Sequence, residues 1–305
     1  MALSPPARVR RLVYLGSPAL AVPPLEALVA AGYPIALVVT RPDKRRGRGG
    51  VTTPSPVREA AERLGLPVSF DVDDVLGCGA DLGVVVAYGR LIKPHVLDEL
   101  AFVNLHFSLL PCWRGAAPVE RAILAGDATT GVCVMALEEE LDTGGVFRRA
   151  ELAIDAEESL AELRARLVDL GTTLLLDGLA NGLGAPVPQQ GEPTYAAKVQ
   201  PEELALRFDR PALELARITR LGRAHTMFRG KRLLVHKARA LAEPVEGATG
   251  TLVSDGEPGR VGRLYVACAQ GSLELLEVQP EGRARQSAEA WVRGSRPVRD
   301  ERLGA

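Results

Sequence analysis

Short runs of aliphatic residues recur along the first third of the chain, with helix-like segments between them. Residues 11–16 (RLVYLG) and 35–40 (IALVVT) flank an Ala- and Leu-rich segment that starts at Pro18, and residues 82–87 (LGVVVA) follow. Apolar runs without alternation are typical of strands covered on both faces, and strand–helix–strand repeats build parallel sheets. The sequence therefore predicts an α/β fold whose N-terminal domain is a Rossmann-like, mostly parallel sheet.

The turn after the first predicted strand limits what this domain can bind. It reads Gly16-Ser17-Pro18. Sheets that bind dinucleotides carry a Gly-x-Gly-x-x-Gly turn at this place, because the pyrophosphate must approach the backbone closely. A nicotinamide-dependent enzyme is therefore disfavoured.

Composition restricts partners and compartment. The net charge is −1, so no global field attracts nucleic acid and any RNA contact must come from local patches. The four cysteines, at positions 78, 112, 133 and 268, show no Cys-x-x-Cys spacing and no His in metal-ligand register, which indicates reduced thiols and no structural zinc. We expect a cytoplasmic protein, monomeric by default, with no metal, no signal peptide and no membrane span.

Two polar residues mark the end of another apolar run. Asn104 and His106 are spaced by two at the end of the run 101–105, and the Pro and Gly residues beyond them do not allow a strand to continue. They therefore project from one face, at the sheet edge where open α/β folds place their chemistry. An amide can donate to a developing oxyanion, and a neutral imidazole can accept a proton near neutral pH.

A carboxylate further along the chain is the third candidate. Asp142 begins an Asp-Thr-Gly-Gly turn after the apolar run 131–137, which is predicted to form the next strand and to end beside the same sheet edge. There it would orient His106 and favour its protonated form. Taken singly, a strand-end His and an Asp in such a turn are more often structural. Their combination in this order favours a site.

Four motifs in register resemble those of the formyltransferase family that uses 10-formyltetrahydrofolate. They are Asn104-Leu105-His106, Ser108-Leu109-Leu110-Pro111, Trp113-Arg114-Gly115-Ala116-Ala117-Pro118 and Leu141-Asp142-Thr143-Gly144. The resemblance implies that the catalytic residues are Asn104, His106 and Asp142. It also implies two sets of folate-contacting residues, a loop and the lining of the pterin pocket: Ser108, Leu109, Leu110 and Pro111, and Val86, Tyr88 and Gly89. Equally, Tyr88 could cap its strand with the hydroxyl in water.

A basic segment follows the second predicted strand. Residues 41–48 contain five cations interrupted by Gly, and they predict a mobile basic loop. By itself such a run is most simply a solvated surface. It resembles the tRNA-contacting insertion of the family members that formylate methionine on initiator tRNA, which ends in a Pro-Ser-Pro-Val sequence like residues 54–57. The resemblance implies tRNA contacts by Arg41, Lys44, Arg45, Arg46 and Arg48. Many members carry Arg where this chain has Lys44, which lacks the planar fork.

The C-terminal third has a different pattern. Leu residues at helical spacing run to about residue 180, and the Gly-, Pro- and Gln-rich residues after them indicate a linker. A predicted helix (211–221) and short apolar runs separated by Gly-rich turns (232–235, 251–253, 263–266, 273–278) indicate a small antiparallel barrel, which the family resemblance makes OB-like. We predict a catalytic domain over 1–185, a linker over 186–205 and a tRNA-binding domain over 206–305. Residues 210–240 carry nine Lys or Arg against one acid, a tRNA-binding face or a solvated surface.

The resemblance implies transfer of a formyl group from 10-formyltetrahydrofolate to the α-amine of methionine on initiator tRNA, for translation initiation. Three alternatives remain: an N-formyltransferase acting on an amino sugar nucleotide, a formyltetrahydrofolate hydrolase, and a tRNA-binding module without catalysis. The run 113–118 and the basic segment favour tRNA as acceptor. The complete set of Asn104, His106 and Asp142 disfavours a module without catalysis.

Overall fold

The structure is a computed structural model that describes residues 3–46, 51–256, 262–298 and 300–304, with the main chain alone for residues 44–46 and 51–52. The chain forms two units. The first contains Met1–Val119, Thr129–Ala153 and Leu163–Ala197, and the second contains Glu120–Ala128, Ile154–Glu162 and Lys198–Ala305. In the described part of the chain, every helix is too short or too polar to cross a lipid bilayer.

The first 196 residues supply the helices and strands around the candidate site. The helices are α1 (Val22–Ala30), α2 (Pro56–Arg63), α3 (Pro94–Leu97), α4 (Pro118–Ala125) and α5 (Leu160–Asn181). The strands are β1 (Leu12–Gly16), β2 (Ile35–Val39), β3 (Lys44–Arg46), β4 (Val51–Thr53), β5 (Val68–Ser69), β6 (Leu82–Val86), β7 (Phe102–His106), β8 (Arg114–Gly115), β9 (Thr129–Ala136), β10 (Val146–Ala153) and β11 (Tyr195–Ala196). Helix α2 shows how sequence sets a boundary. Ser55 accepts a hydrogen bond from the Arg58 N–H, and Pro56 supplies the fixed φ of a first turn.

Seven strands form the sheet of the first unit, in the order β10-β9-β7-β6-β1-β2-β5. Strands β7, β6, β1, β2 and β5 run parallel to one another, while β9 is antiparallel to both β7 and β10. All residues of β1 and β6 are buried, as their unbroken apolar sequences predicted. The predicted Rossmann-like, mostly parallel sheet is confirmed.

The direction of β9 corrects one step of the sequence interpretation. Because β9 runs antiparallel to β7, it ends with Ala136 beside Val103, and Cys133 pairs with His106. The strand end alone therefore does not bring Asp142 to the candidate site. Leu137 still donates its N–H to the Phe102 carbonyl. The segment 138–141 therefore carries the chain from there to Asp142, whose Oδ2 lies 3.6 Å from His106 Nδ1.

Part of the basic segment, which was predicted to be a loop, is extended instead. The main chain of Lys44–Arg46 (β3) pairs in antiparallel register with Val51–Thr53 (β4). The three residues of β4 are β-branched, and such residues favour extended backbone. A short two-stranded ribbon therefore carries part of the segment.

Residues 187–196, here named the strap, lie within the stretch predicted to be a linker and are bound to the first unit. Val187 exchanges two main-chain hydrogen bonds with Val146, at N–O distances of 2.8 and 2.9 Å. At the other end of the strap, β11 pairs in parallel with β8. The strap has little apolar periodicity because main-chain hydrogen bonds, rather than a buried face, hold it in place.

The second unit contains a curled antiparallel sheet with two helices. Its strands are β12 (His225–Phe228), β13 (Lys231–Leu241), β14 (Leu252–Ser254), β15 (Leu264–Ala267), β16 (Ser272–Pro280) and β17 (Gln286–Ser287), and its helices are α6 (Ala212–Arg220) and α7 (Ala288–Ser295). The order is β12-β13-β16-β15-β14, and β17 pairs with β16. Helix α6 packs on β13 and β16, and Trp291 of α7 meets Phe228 edge to face at 4.9 Å. The predicted C-terminal antiparallel β-domain is confirmed, in the form of this curled sheet.

Candidate active site

The structure brings Asn104, His106 and Asp142 together beside β7. The Asp142 Oδ2 atom lies 3.6 Å from His106 Nδ1, and Asn104 Nδ2 lies 3.5 Å from Asp142 Oδ1. Only 6% of the His106 side chain and 9% of the Asp142 side chain are exposed. Charge interactions are stronger in such surroundings than in water, so a charge on either group acts strongly on the other.

The main chain around Asp142 is unusual, and a neighbouring loop holds its carboxylate. The φ angle of Asp142 is +54°, and the left-handed region costs an L-residue about 1–2 kcal/mol. The Gly115 N–H donates to Asp142 Oδ2 at 2.8 Å. A hydrogen bond to a charged acceptor contributes about 1.5–3 kcal/mol, enough to offset that conformational cost. Sequence analysis placed Gly115 in a motif but did not identify this contact.

Both ring nitrogens of His106 face oxygen atoms. Nδ1 faces the Asp142 carboxylate, and Nε2 lies 2.9 Å from the carbonyl oxygen of Trp113. Each nitrogen can therefore donate a proton to an acceptor, as the doubly protonated ring requires. Trp113 has a φ of +60°, and this turn aims its carbonyl at the imidazole. The contact to a main-chain carbonyl has no signature in the sequence.

The predicted folate loop is partly buried. Ser108 is buried, and its hydroxyl donates to the carbonyl of Cys112 at 2.5 Å. Leu110 belongs to a buried cluster with Cys133 and Met135. Leu109 and Pro111 are partly exposed, so they are the apolar side chains of this loop that a ligand can touch. The peptide bond between Leu110 and Pro111 is cis.

The second predicted folate set lies at the end of β6. Val86 and Tyr88 are buried, and the Tyr88 ring packs in a hydrophobic core cluster. Burial raises the pKa of the Tyr88 hydroxyl, and the nearby Arg90 offsets only part of that rise. The Tyr88 hydroxyl is therefore not a wet strand cap. Contacts from Val86 and Tyr88 to a ligand would be through the main chain, whereas Gly89 is exposed.

Arg41 lies between the strand ends of β2 and β6. Its Nε donates to the Tyr88 carbonyl at 3.1 Å, and its Nη2 donates to the Gly89 carbonyl. Together with Pro42, Asp43, Gly89 and Arg90 it lines a cavity of about 450 Å³. Among the described residues, the buried Asp43 Oδ1 atom has no hydrogen-bond partner, while Asp43 Oδ2 binds Arg58 Nη1 at 2.6 Å.

The remaining predicted tRNA-contacting residues of the basic segment are described only in part. The main chain of Lys44, Arg45 and Arg46 forms β3. Arg48 lies outside the described residues. Of the five predicted tRNA-contacting side chains, the structure therefore describes the position of Arg41 alone. In the same described ranges, no cluster of three or more His, Cys, Asp or Glu is arranged to hold a metal ion.

Five of the nine cations between residues 210 and 240 are engaged within the second unit. Arg210 pairs with Glu214, Arg229 with Glu301 and Arg239 with Glu157, while Arg217 and Arg220 donate to main-chain carbonyls. Hydrogen bonding by Arg239 lowers the pKa of Glu157. The other four are exposed and have no side-chain hydrogen bond or ion pair to any described residue: Arg223, Lys231, Arg232 and Lys237.

Comparison with protein families defines the class to which this fold and site belong. Residues 10–179 match the family described as formyl transferase, and residues 198–296 match the formyl transferase C-terminal domain. The chain belongs to the formyl transferase family. The family resemblance inferred from the four motifs is therefore confirmed.

Within this family, curated relatives at about two-fifths identity include methionyl-tRNA formyltransferases. The enzyme of Roseobacter denitrificans is 43% identical, with 93% of this chain and 96% of that protein aligned. The enzyme of Clavibacter sepedonicus is 42% identical, over 93% of this chain and 97% of that protein. The expectation of a one-carbon formyltransferase of this kind is confirmed.

Solved structures share the fold at low sequence identity. An N-formyltransferase from Helicobacter canadensis, in complex with folinic acid and dTDP-3-aminofucose, aligns with a TM-score of 0.67 at 15% identity, over 89% of this chain and 99% of that chain. A methionyl-tRNA formyltransferase from Clostridium thermocellum aligns with a TM-score of 0.56 at 15% identity, over 76% of this chain and 93% of that one. Both share the fold of the aligned part of this chain.

Proposed function

We propose that the protein transfers the formyl group of 10-formyltetrahydrofolate to the α-amine of methionine carried by initiator tRNA. The observation that carries the proposal is the meeting of Asn104, His106 and Asp142 within hydrogen-bonding or ion-pairing reach in a largely buried site. The relatives named methionyl-tRNA formyltransferase, at about two-fifths identity over nearly the whole chain, support the same acceptor. The reaction belongs to translation initiation, and we place the protein in the cytoplasm as a monomer.

The residues at the strand ends fit a folate. The cavity beside Gly89 has the size of a small-molecule pocket, since such pockets measure roughly 300–1,000 Å³. Arg41 and Arg90 line this cavity as cations. A folate carries carboxylates, which such cations bind. Leu109 and Pro111 add partly exposed apolar surface. A structural neighbour in complex with tetrahydrofolic acid shares the fold, with a TM-score of 0.61.

The folate supplies a formyl group whose oxygen gains negative charge when the amine attacks its carbon. The new bond joins the amine nitrogen to the formyl carbon, the bond from that carbon to the folate nitrogen breaks, and one proton passes from the amine to the departing nitrogen. Asn104 and protonated His106 donate hydrogen bonds to the charged oxygen. For this contact, His106 exchanges the Trp113 carbonyl at Nε2 for that oxygen. A positioned donor of this type accelerates acyl transfer by about 10²–10³-fold.

Asp142 has two roles in this proposal. Its Oδ2 atom orients the imidazole and stabilises the charge on it, at the observed distance of 3.6 Å. Its carboxylate also accepts the proton that the attacking amine loses, directly or through a water molecule, and passes that proton to the departing folate nitrogen, which is general acid–base catalysis. The proposal requires no metal, because the charged oxygen has side-chain donors.

The tRNA acceptor requires basic surface outside the catalytic residues. In the basic segment we propose that Arg41, Lys44, Arg45, Arg46 and Arg48 contact the tRNA. Because the Arg41 guanidinium is bound to the Gly89 carbonyl, Arg41 would contact only the part of the tRNA that comes close to Gly89. In the second unit we propose the cations that have no partner among the described residues, Arg223, Lys231, Arg232 and Lys237. Such side chains contact phosphates and the exposed bases of single-stranded ends.

An acceptor comparison tests the function. The purified protein is incubated with 10-formyltetrahydrofolate and, in separate reactions, with methionyl initiator tRNA, an amino sugar nucleotide, or no acceptor but water. We expect formyl transfer to the tRNA at a kcat/KM at least about 10³-fold above the sugar, the scale on which a site built for one polar substrate rejects another. Faster transfer to the sugar nucleotide would contradict the proposal and indicate a sugar N-formyltransferase. Hydrolysis of 10-formyltetrahydrofolate that the tRNA does not suppress would indicate a formyltetrahydrofolate hydrolase.

A further inference from the structure

The strap contributes a side chain to the candidate active site. Gln189 lies between the two anchored ends of the strap. Both polar atoms of its side-chain amide make hydrogen bonds. Nε2 donates to the main-chain carbonyls of Asp142 and Gly144, each at 2.8 Å. Oε1 accepts from Arg114, at 3.1 Å from Nε and 2.7 Å from Nη2. No hydrogen-bonding position of this amide is left for solvent or a ligand to satisfy.

The partners of Gln189 are the two segments that hold the Asp142 carboxylate. One is the turn that contains Asp142 itself, with its φ of +54°. The other is β8, where Arg114 precedes Gly115, the residue whose N–H binds Asp142 Oδ2. One side chain therefore fixes the main chain of Asp142 and the donor of its carboxylate at the same time. An L-residue keeps a left-handed conformation only where its surroundings impose it.

The rest of the strap reinforces the same loops. Thr194 accepts from Arg114 N through its carbonyl, at 2.8 Å, and from Trp113 N through its hydroxyl, also at 2.8 Å. The Ala196 carbonyl accepts the next main-chain donors, from residues 116 and 117. Trp113 is the residue whose carbonyl faces His106. The strap thus holds the loops that contact both His106 and Asp142.

We propose that Gln189, itself held by Arg114, is a positioning residue for Asp142, so that the segment leading out of the first unit is part of the machinery of formyl transfer. The proposal rests on the function proposed above. An amide is required at this position because it must accept from a guanidinium and donate to two carbonyls. Glutamate presents an oxygen to those carbonyls, and asparagine is one methylene too short to span the same partners.

The kinetic test compares Gln189→Glu with Gln190→Glu. The two substitutions make the same chemical change at adjacent positions, but Gln190 is exposed and its side chain has no hydrogen bond to a described residue. For Gln189→Glu we expect kcat to fall about 10²-fold, the effect of misplacing a catalytic group by about 1 Å. The KM values for both substrates should stay within about twofold, and Gln190→Glu should resemble the wild type. Gln189→Met, which is isosteric and uncharged, serves if the Glu variant does not fold.

A double-mutant cycle separates positioning from a general structural effect. In an Asp142→Ala background, Gln189→Glu should reduce the remaining activity by less than about twofold, because the group that it positions is gone. A full further loss of about 10²-fold in that background would overturn the proposal. Wild-type kcat in both Gln189→Glu and Gln189→Met would also overturn it.

Amide exchange gives a readout that does not depend on formyl transfer. The Gly115 N–H is bound to Asp142 Oδ2, so its hydrogen exchange reports whether the carboxylate is in place. We expect exchange at Gly115 to be at least about tenfold faster in Gln189→Glu and in Gln189→Met than in Gln190→Glu. Unchanged exchange would overturn the positioning role. If the wild type failed to formylate methionyl-tRNA, the proposed function would fall, while the exchange comparison would still decide the role of Gln189.

Discussion

The carboxylate of Asp142 is shared among three polar neighbours. Its Oδ2 atom accepts from the Gly115 N–H and faces His106, while its Oδ1 atom faces Asn104. A carboxylate can accept up to four hydrogen bonds, so it can hold the imidazole and still take a proton from the attacking amine. The proposed role of Asp142 in formyl transfer therefore depends on the negative charge of its side chain as well as on the size of that side chain.

Replacing Asp142 by Asn tests that dependence. The substitution keeps the size of the side chain but removes the charge that steadies His106 and accepts the proton. We expect kcat for formyl transfer to fall about 10²–10⁴-fold, the contribution of general acid–base groups, with an unchanged circular dichroism spectrum. Glu139→Gln is the matched control, because Glu139 is an exposed acid in the same segment. Equal rates in the two variants would remove Asp142 from the catalytic set.

The cysteines give a second prediction at the residue scale. Cys112 is exposed within the loop that contacts the site, and the group that the loop uses is its carbonyl, bound by Ser108. Direct transfer to an amine needs no covalent enzyme intermediate. Cys112→Ser should therefore keep kcat within about threefold of the wild type. If the Cys112 thiol were a nucleophile, its replacement would lower kcat by roughly several orders of magnitude.

Thiol labelling provides the accompanying measurement. Burial raises the pKa of the Cys133 thiol to about 11, so this group stays protonated at neutral pH. Maleimide or iodoacetamide should modify Cys112 in the folded protein and leave Cys133 unmodified, as read by peptide mass spectrometry. Modification of Cys133 before unfolding would contradict the buried position of β9.

The turn after β9 has no room for a side chain at residue 144. A Cβ atom at Gly144 would lie 2.0 Å from the Ala136 carbonyl oxygen and 2.8 Å from its carbon. The turn can therefore approach the end of β9 only because residue 144 is Gly. Gly144 lies two residues after Asp142, so this approach helps to place the Asp142 carboxylate beside His106.

Gly144→Ala should accordingly reduce both activity and stability. The main chain on one side of the clash must move, so we expect a loss of at least about 10²-fold in kcat, as for other small misplacements of catalytic groups, and a lower melting temperature. Gly294→Ala is the contrasting variant, since Gly294 lies exposed in α7 with open space around it. Replacing Gly within a helix stabilises by about 0.5–1 kcal/mol. Thermal unfolding that ranks the two variants the other way would contradict this picture.

The elements differ in how far sequence could specify them. Strands β1, β2 and β6 are continuous apolar runs, and Asn104 and His106 lie two apart at a strand end, so both features could be predicted. The direction of β9 could not be predicted, because a strand has the same spacing of apolar and polar residues whether it pairs in parallel or antiparallel. The role of the strap was also hidden, since its contacts are main-chain hydrogen bonds, the Gln189 amide and the Thr194 hydroxyl. Such contacts leave no periodic pattern.

Charge is the property that concerns the whole molecule. The chain has a net charge of −1, so attraction of tRNA depends on local cations. In the second unit, ion pairs and main-chain carbonyls already engage five of the nine cations between residues 210 and 240. The exposed cations without a described partner are the ones that can neutralise phosphate.

Salt dependence of tRNA binding tests this division. Each phosphate contact that is lost should reduce the slope of log K against log salt concentration by about 0.7–0.9. Neutralising Arg223, Lys231 and Arg232 to Gln should therefore flatten the slope and weaken binding. Neutralising Arg210, which pairs with Glu214, should leave the slope nearly unchanged. Equal effects of the paired and unpaired cations would contradict the assignment.

Every role proposed for these side chains depends on formyl transfer to an aminoacylated tRNA by Asn104, His106 and Asp142. The most direct measurement is a single-turnover reaction with isotopically labelled 10-formyltetrahydrofolate and methionyl initiator tRNA, comparing the wild type with Asn104→Ala, His106→Ala and Asp142→Ala. We predict rapid labelling of the methionine amine by the wild type and rates lower by about 10²-fold or more in each variant. Wild-type rates in all three folded variants, or no labelled tRNA from the wild type, would contradict the account.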